Sequence, residues 1–191
     1  MNWRCSVLKA LVSLLPEDLD CFVREIWDEL KTEFGFNSVF LTPFPHITYC
    51  IVEERNKEID PLIEVTASNT PPLMATTEYL GVFSGEKPVI FIGLARNARL
   101  ASLHHALWTE LCDLVDNRAI AYNEIHWIPH ITIVFGDDLN RSNIGPVMER
   151  LAFKDFHHEL MINNLTILEE VPDEGIIIRK RLKLAGPSKA D

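Results

Sequence analysis

The chain has 191 residues, 47% of them apolar, and 28 acidic against 18 basic side chains give a formal net charge of −10 at pH 7. This length and apolar fraction predict one soluble domain, or two small lobes that share a core, and argue against a disordered chain. The acidic balance argues against non-specific binding of long nucleic acid, because such proteins neutralise many phosphates with Lys and Arg. A small phosphate ester held by a few polar side chains is compatible with this charge.

The cysteines and the N-terminal residues bear on the cellular compartment. Four cysteines lie in apolar runs without a C-x-x-C pair, at Cys5, Cys21, Cys50 and Cys112. They are predicted to be small buried side chains of a reduced, cytoplasmic protein. The apolar stretch after Arg4 is interrupted by Lys9 and lacks a cleavage site, which favours a first β-strand over a signal peptide. Because no run approaches roughly 18 continuous apolar residues, we expect no membrane partner.

The first third of the chain predicts alternating strands and helices. Between Leu19 and Leu30, apolar residues recur with the period of a helix, and acidic residues just before them suit a helix N-terminus. Gly35 is predicted to end this helix. The predicted elements are a strand over 4–15, a helix that begins at Glu17, a strand over 46–53 and a weaker helix over about 56–66.

The rest of the chain predicts hairpins separated by helices. The predicted elements are strands over Leu73–Phe83 and Pro88–Leu94, a helix from Leu100 to Val115, a strand over 125–135, a helix over Ile144–Leu151, and strands over His158–Val171 and Gly175–Leu184. The order β-α-β-α-ββ-α-β-α-ββ divides into two similar units. It predicts an α+β fold, bilobal, in which two pseudo-symmetric halves of mainly antiparallel sheet carry packed helices. We expect a single domain over 1–184 and a frayed tail over 185–191.

One tetrapeptide occurs twice, once in each half of the chain. Residues 45–48 and residues 129–132 both read Pro-His-Ile-Thr, and apolar residues follow each copy. Because alternate side chains of a strand share a face, each copy presents an imidazole and a hydroxyl about 7 Å apart on one face and its isoleucine on the other. An approximate two-fold axis between the halves would bring four polar side chains together on one ligand: His46, Thr48, His130 and Thr132.

This set of side chains suits phosphodiester chemistry without a metal. The ordinary pKa of histidine is about 6.5, so near neutral pH one imidazole can act as a base while the other acts as an acid. The threonine hydroxyls can donate to non-bridging phosphate oxygens, whose charge grows in the transition state. The alternative interpretation is two half-buried histidines in unrelated strands, which the matched position, neighbours and order of the two copies disfavour.

With two His-x-Thr motifs in the two halves of a chain of this size, the sequence resembles the 2H phosphoesterase superfamily, the 2′,5′ RNA ligase-like or cyclic phosphodiesterase-like proteins. The resemblance covers nearly the whole chain and implies an active site in the central cleft between two lobes. It implies that His46 and His130 form the general acid/base pair and that Thr48 and Thr132 bind phosphate. The implied activity is hydrolysis of a cyclic phosphate or a short oligonucleotide (a 2′,3′-cyclic nucleotide or RNA end, or a 2′,5′-linked or cyclic oligonucleotide), with no cofactor and no metal.

Three further residues are candidates for substrate contacts. Phe44, two residues before His46, is a candidate for stacking on a base, and core packing is the alternative explanation for an aromatic residue there. Arg179 and Arg181 alternate along the last predicted strand and are candidates to border an anionic substrate, with a solvated strand face as the alternative. Trp127 is predicted to lie on the apolar face of its strand, in a structural role.

Other functions are weighed against this one. The pairs His104-His105 and His157-His158 lack the ligand spacing of a zinc site, so we expect no metal site. The main alternative is a non-catalytic nucleotide- or RNA-binding module on the same fold. Family members that act on RNA ends often carry a basic residue just before the second motif, where this chain has apolar residues. This departure and the net charge favour a small nucleotide or short oligonucleotide over long RNA as the partner, and we expect a monomer.

Overall fold

Most helices and strands lie where the sequence pattern predicts them. The computed structural model describes residues 7–54, 59–114 and 121–187. Within these ranges the elements are β1 (Val7–Leu14), α1 (Glu17–Phe34), β2 (His46–Glu54), α2 (Asp60–Asn69), β3 (Leu73–Phe83), β4 (Val89–Leu94), α3 (Ala98–Leu111), β5 (His130–Val134), α4 (Ile144–Leu151), β6 (His158–Ile162), β7 (Asn164–Val171) and β8 (Gly175–Lys183).

The longest helix, α1, begins and ends where its sequence predicts. Pro16 precedes it with extended backbone, and its first turn is acidic, which complements the helix dipole. Gly35 ends it in the left-handed conformation with φ 75°, and the Gly35 N–H donates to the Lys31 carbonyl. The buried stripe of the helix consists of Leu19, Val23, Ile26, Trp27 and Leu30. The predicted helix and its end are therefore confirmed.

The described strands form one antiparallel sheet in the order β6-β3-β4-β5-β2-β1-β7-β8. The predicted α+β fold with mainly antiparallel strands is confirmed. The strands that carry the two Pro-His-Ile-Thr copies, β2 and β5, are central neighbours and pair only at Ile47 and Ile131. We call this pairing the seam. Three further strands extend beyond β2 and three beyond β5, which relates the two halves of the sheet by approximate two-fold symmetry.

Each half of the sheet combines segments from both halves of the chain. The β7–β8 hairpin joins the β2 side of the seam through β1, with Leu11 opposite Ile167. By contrast, β6 joins the β5 side through β3, with Ala75 opposite Leu160. The strand predicted over His158–Val171 is therefore two strands, because the residues before and after the break at residue 163 pair on opposite sides of the seam. The two sequence units do not coincide with the two halves of the sheet.

The strand predicted over 125–135 is too long at its N-terminal end. It begins only at His130, and the residues before it form turns. The side-chain Oδ1 of Asn123 accepts the N–H groups of Ile125 and His126 at 3.0 and 2.9 Å. Asn side chains that make such local hydrogen bonds compete with the hydrogen bonds of a strand ladder. This competition explains why the predicted strand begins before the observed one.

The predicted tail over 185–191 is partly docked. The N–H groups of Ala185 and Gly186 donate to the carbonyls of Ala67 and Thr70 at the C-terminal end of α2. Fraying is therefore wrong for these two residues, while residues 188–191 lie outside the described residues. Residues 4–6 of the first predicted strand, residues 56–58 of the second predicted helix and Val115 of the third lie outside the described residues.

The apolar face of the two motif strands belongs to the core, as their alternation predicts. Ile47, Tyr49, Ile131 and Ile133 are each at most 1% exposed. The histidine and threonine of each motif therefore lie on the opposite face of the sheet.

A buried polar network holds β1 and β7 beside the first motif. The Ser13 hydroxyl donates to the Asn164 carbonyl at 2.6 Å and shares a 2.8 Å hydrogen bond with the Tyr49 hydroxyl. The Asn164 side chain binds both main-chain groups of Leu14, the residue opposite His46. The Leu14 N–H donates to Oδ1 at 3.0 Å, and Nδ2 donates to the Leu14 carbonyl at 2.9 Å. A buried network with its partners complete specifies one register, so Asn164 helps to set the position of the strand next to His46.

We expect Asn164→Asp to lower the free energy of unfolding by about 1–3 kcal/mol. The change keeps the side-chain shape but replaces the Nδ2 donor with an oxygen that faces the Leu14 carbonyl. Urea denaturation measures the loss. Asn163→Asp, at the exposed neighbouring residue, keeps the oxygen that accepts from Asn164 Nδ2 at 3.2 Å and should alter the free energy of unfolding by less than about 0.5 kcal/mol. Equal losses in the two variants would contradict the role of the network.

Candidate active site

The seam brings the two motifs face to face. Because the motif isoleucines are paired, His46 lies across from Thr132. Thr48 in turn lies across from His130. All four side chains line one cleft with a volume of about 580 Å³. Diagonal neighbours on an antiparallel pair have Cβ atoms about 7–8 Å apart, which leaves the space of a phosphate group between the two imidazoles.

The two imidazole rings are held in the same way. The Nδ1–H of His46 donates to the Phe44 carbonyl, and the Nδ1–H of His130 donates to the Ile128 carbonyl at 2.8 Å. In both copies the acceptor lies two residues earlier, across the proline of the motif. A neutral ring that donates through Nδ1 carries its lone pair on Nε2. The Pro-His order of the repeated motif thus gives both rings the same tautomer and leaves Nε2 to exchange a proton with a ligand.

Burial lowers the pKa of His46 and the pKa of His130 below the ordinary value of 6.5, because a charged ring loses hydration in the cleft. The bond to the Phe44 carbonyl opposes this shift at His46, and the nearby His130 charge adds to it. The Ile128 carbonyl opposes the shift at His130. Both rings are therefore mainly neutral at pH 7 in the free protein, and a bound anion favours protonation of one of them.

Two tryptophan side chains brace the backbone of the motif threonines. Since β2 and β5 pair only at the seam, carbonyls beside it need donors from elsewhere. The Trp127 Nε1–H donates to the Thr48 carbonyl at 2.8 Å, and the Trp27 Nε1–H donates to the Thr132 carbonyl at 3.2 Å. Both tryptophans line the cleft and are at most 4% exposed. The backbone carbonyl of each motif threonine thus accepts a hydrogen bond from an indole N–H.

Trp127 is supported from behind by a stacked histidine. The ring of His104 lies parallel to the indole with centroids 4.0 Å apart, and its Nε2–H donates to the Tyr122 carbonyl at 2.9 Å. The Arg96 guanidinium lies 5.9 Å from the indole. Burial lowers the pKa of His104, which favours the neutral ring in this stack. The prediction that Trp127 lies on the apolar face of a strand is wrong, because the residue precedes β5 and strand alternation does not apply to it.

The remaining cleft walls differ in chemistry. On the β5 side, Phe83 stacks on Phe91 with ring centroids 4.1 Å apart, and its ring lies 4.9 Å from that of His130. Beyond β2, the wall contains Lys9 and one carboxylate and is otherwise aliphatic, from Leu8, Ala10, Ile51, Leu168, Ile176 and Glu170. Sequence reasoning missed these wall residues and Trp27, because only the pairing of distant strands shows that they share a cleft.

The Phe44 ring is not part of the cleft wall. The connection of Phe44 to the site is its carbonyl oxygen, which accepts the hydrogen bond from His46. Stacking of Phe44 on a base therefore has no support from the wall residues and stays a prediction. The aromatic side chains beside a motif histidine are instead Phe83 and Phe91, whose ring centroids lie 4.9 and 5.3 Å from that of His130.

The two predicted arginines also lie outside the cleft wall. The register between β7 and β8 shifts at Arg179, so the expected alternation with Arg181 is broken. Arg179 forms ion pairs with Asp60 of α2 at 3.1 Å and with Glu169 at 3.3 Å. Arg181 is exposed and lies opposite Thr166. The structure does not bring either guanidinium to the motif histidines.

Within residues 7–54, 59–114 and 121–187, no group of three or more His, Cys, Asp or Glu side chains is placed to hold a metal ion. The histidines of the two pairs have separate surroundings. His105 is paired with Glu124, and His157 lies 3.6 Å from Glu78. None of the helices in these ranges is long and apolar enough to cross a membrane.

An antiparallel sheet with two His-x-Thr strands at its centre defines a phosphoesterase of the two-histidine class. Residues 16–174 match the family model of the 2′-5′ RNA ligase superfamily, and the chain belongs to this superfamily, the 2H phosphoesterases. TT0787 of Thermus thermophilus has a similar structure, with a TM-score of 0.67, 19% identity, and coverage of 94% of this chain and 98% of that one. Escherichia coli LigT complexed with 3′-AMP has a TM-score of 0.61, 16% identity and the same coverage. No curated protein sequence matches the chain significantly.

We expect Trp127→Phe to lower the free energy of unfolding by about 1–3 kcal/mol, because the buried Thr48 carbonyl loses its donor. Trp108→Phe is the matched control, since Trp108 also stacks near His104 but is not part of the cleft wall. Its effect on urea denaturation should be smaller.

Titration with inorganic phosphate, followed by NMR, should shift the indole N–H signals of Trp27 and Trp127 but not that of Trp108. Equal responses of all three indoles would contradict the assignment.

Proposed function

We propose that the protein is a metal-independent phosphodiesterase that hydrolyses a cyclic phosphate or a short oligonucleotide by two-histidine acid/base catalysis. The observation that carries the proposal is the pairing of two His-x-Thr strands in one cleft, with the same tautomer at His46 and His130. A binding module needs donors for phosphate oxygens but does not need two imidazoles with matched Nε2 atoms. This difference favours catalysis over non-catalytic nucleotide binding.

The phosphate lies between the two imidazoles in this mechanism. The Nε2 of one ring accepts a proton from the attacking water as its oxygen bonds to phosphorus, and the other ring, protonated, donates to the leaving oxygen as the P–O bond breaks. The hydroxyls of Thr48 and Thr132 donate to the non-bridging oxygens, whose negative charge grows in the transition state. The orientation of the substrate decides which histidine is the base, because the two motifs are equivalent by symmetry.

The charges of the cleft wall support a small substrate. Lys9 is the only Lys or Arg among the described residues of the wall, and its side chain is 2% exposed and lies 3.7 Å from Glu169. A long RNA track needs a series of accessible cations, which this wall lacks. The complex of LigT with 3′-AMP shows a protein of the same fold with a nucleoside 3′-phosphate. We therefore favour a 2′,3′-cyclic nucleotide, an RNA end, or a 2′,5′-linked or cyclic oligonucleotide as the substrate.

We also propose a reducing, cytoplasmic setting. The three cysteines in the described residues, Cys21, Cys50 and Cys112, are free thiols. Their state suits a reducing compartment. The prediction that they are buried holds for Cys50 and is wrong for Cys21 and Cys112, which are exposed.

We expect His46→Ala and His130→Ala each to lower kcat by about 10²- to 10⁴-fold, because each removes one proton transfer. The assay measures products from 2′,3′-cyclic mononucleotides, cyclic-phosphate-ended RNA, 2′,5′-oligoadenylates and cyclic dinucleotides, with a chelator present. His157→Ala, at an exposed position outside the cleft wall, is the control and should keep wild-type turnover. Wild-type turnover in either motif variant would exclude the mechanism, and ligand binding without turnover by the native protein would favour the binding module.

The pH dependence of the reaction follows from the downward pKa shifts of both histidines. The pair with one neutral and one protonated ring is most populated below pH 6.5 in the free enzyme, so kcat/KM should be bell-shaped with its maximum below that value. A bound phosphate raises the pKa of the ring it contacts, so the maximum of kcat should lie at higher pH than that of kcat/KM. Steady-state kinetics at constant ionic strength test both statements. A kcat/KM maximum above pH 6.5 would contradict the effect of burial.

A further inference from the structure

The cleft wall beyond β2 carries a row of aliphatic side chains that the proposed mechanism does not use. Ile51 lies opposite Ala10, and Ala10 lies opposite Leu168, so three adjacent strands contribute to one row. Leu8 and Ile176 also line the cleft on this side. We call these five residues the aliphatic strip. Ala10, the smallest of them, lies between Ile51 and Leu168. The strip therefore forms a shallow apolar surface on which a flat ring can pack.

One carboxylate lies at the end of the aliphatic strip. Glu170 is exposed, lies opposite Ile176, and is the only acidic side chain among the described residues that line the cleft. It has no ion-pair partner within the described part of the chain, whereas the neighbouring Glu169 contacts Lys9 and Arg179. A carboxylate in a phosphate-binding cleft repels an anionic substrate unless N–H donors of that substrate compensate for it. The charge of Glu170 therefore indicates a contact with a donor-bearing part of the substrate.

The separation between Glu170 and the motif is long enough to accommodate a nucleoside phosphate. Thr48 lies opposite Val12 of β1, and Glu170 directly follows Glu169, which lies opposite Lys9. This register places Glu170 about 13 Å from Thr48 along the strands and about 10 Å across them. The side chains of Thr48 and Glu170 both line the cleft. A phosphate at Thr48 thus leaves room for a ribose and a base, with the base over Ala10 and its outer edge at Glu170.

The hydrogen-bonding capacity of Glu170 selects among the bases. An ionised carboxylate has two acceptor oxygens and no donor, so it pairs best with two adjacent N–H donors. Guanine presents such a pair, its ring N1–H and its exocyclic amino group. Adenine and cytosine place a donor beside an acceptor nitrogen, and uracil has one N–H between two carbonyls. Each of these three bases would direct a lone pair at the carboxylate.

We propose that the aliphatic strip and Glu170 form a nucleobase subsite that selects guanine. The substrate is then a guanosine 2′,3′-cyclic phosphate or a short oligonucleotide with guanosine at the cleaved linkage. One face of the base packs on the strip while Glu170 accepts its two N–H donors. This inference rests on the proposed function for the position of the phosphate between His46 and His130.

The kinetic test compares the four 2′,3′-cyclic nucleotides as substrates. The wild type should show a kcat/KM for the guanine substrate about tenfold above the others, the range of one bidentate contact to a base edge. Glu170→Gln should remove the guanine preference and raise the relative kcat/KM of adenine and cytosine, because an amide offers one donor and one acceptor to the amino group and neighbouring ring nitrogen of either base. Glu170→Ala should leave the four substrates within about twofold of one another. Glu174→Gln, at an exposed position of the β7–β8 turn outside the cleft wall, should keep the guanine preference.

A binding test separates this inference from the proposed function. Isothermal titration measures guanosine 3′-monophosphate and uridine 3′-monophosphate on the double variant His46→Ala/His130→Ala, with and without Glu170→Ala. Guanine-selective binding that Glu170→Ala abolishes supports the subsite even if the native protein hydrolyses none of the cyclic nucleotides, an outcome that overturns only the proposed function. Turnover with no base preference, or with a preference that Glu170→Gln and Glu170→Ala leave unchanged, overturns the subsite alone. Absence of both turnover and nucleotide binding overturns both.

Discussion

The single pairing of Ile47 with Ile131 is the constraint on which the rest of the site depends. It joins the two halves of one sheet at their motif strands, and it orients both histidines and both threonines towards the same face. Because the ladder stops there, the two strands are free to border an open cleft. The same interruption leaves backbone carbonyls at the seam, which the indoles of Trp27 and Trp127 satisfy. The placement of the motif side chains and the hydrogen bonds from the two indoles therefore have a common origin.

The electrostatic character of the cleft follows from what surrounds it. Arg179 and Lys180 of β8 form ion pairs with Asp60 and Glu64 of α2. The cleft itself is mostly apolar, so it lowers the pKa of both motif histidines and strengthens polar contacts within it. In the proposed function, phosphate recognition therefore falls to the threonine hydroxyls and a protonated imidazole. An arrangement of this kind suits one phosphodiester better than a chain of them.

Prediction from sequence succeeded where the decisive contacts are local. The helix stop at Gly35 depends on one residue and its left-handed φ, and the β3–β4 hairpin on two adjacent strands. It failed where distant segments override a local pattern. Arg179 and Arg181 alternate in the sequence, but a register shift between β7 and β8 breaks this alternation in the sheet. Trp127 continues an apolar run, but Asn123 turns the chain before the strand begins.

The sequence by itself determined the chemistry and orientation of each motif. Strand alternation places histidine and threonine on one face, and the order Pro-His gives each ring its Nδ1 bond two residues back. Only the tertiary structure decided which strands become neighbours. It therefore also decided that the Trp27 indole donates to the carbonyl of Thr132, 105 residues away in the sequence. It also decided that Glu170 faces the cleft while Glu169 is paired with Lys9. The physical reason is that strand register is a property of paired segments, and a one-residue shift between them moves a side chain to the other face of the sheet.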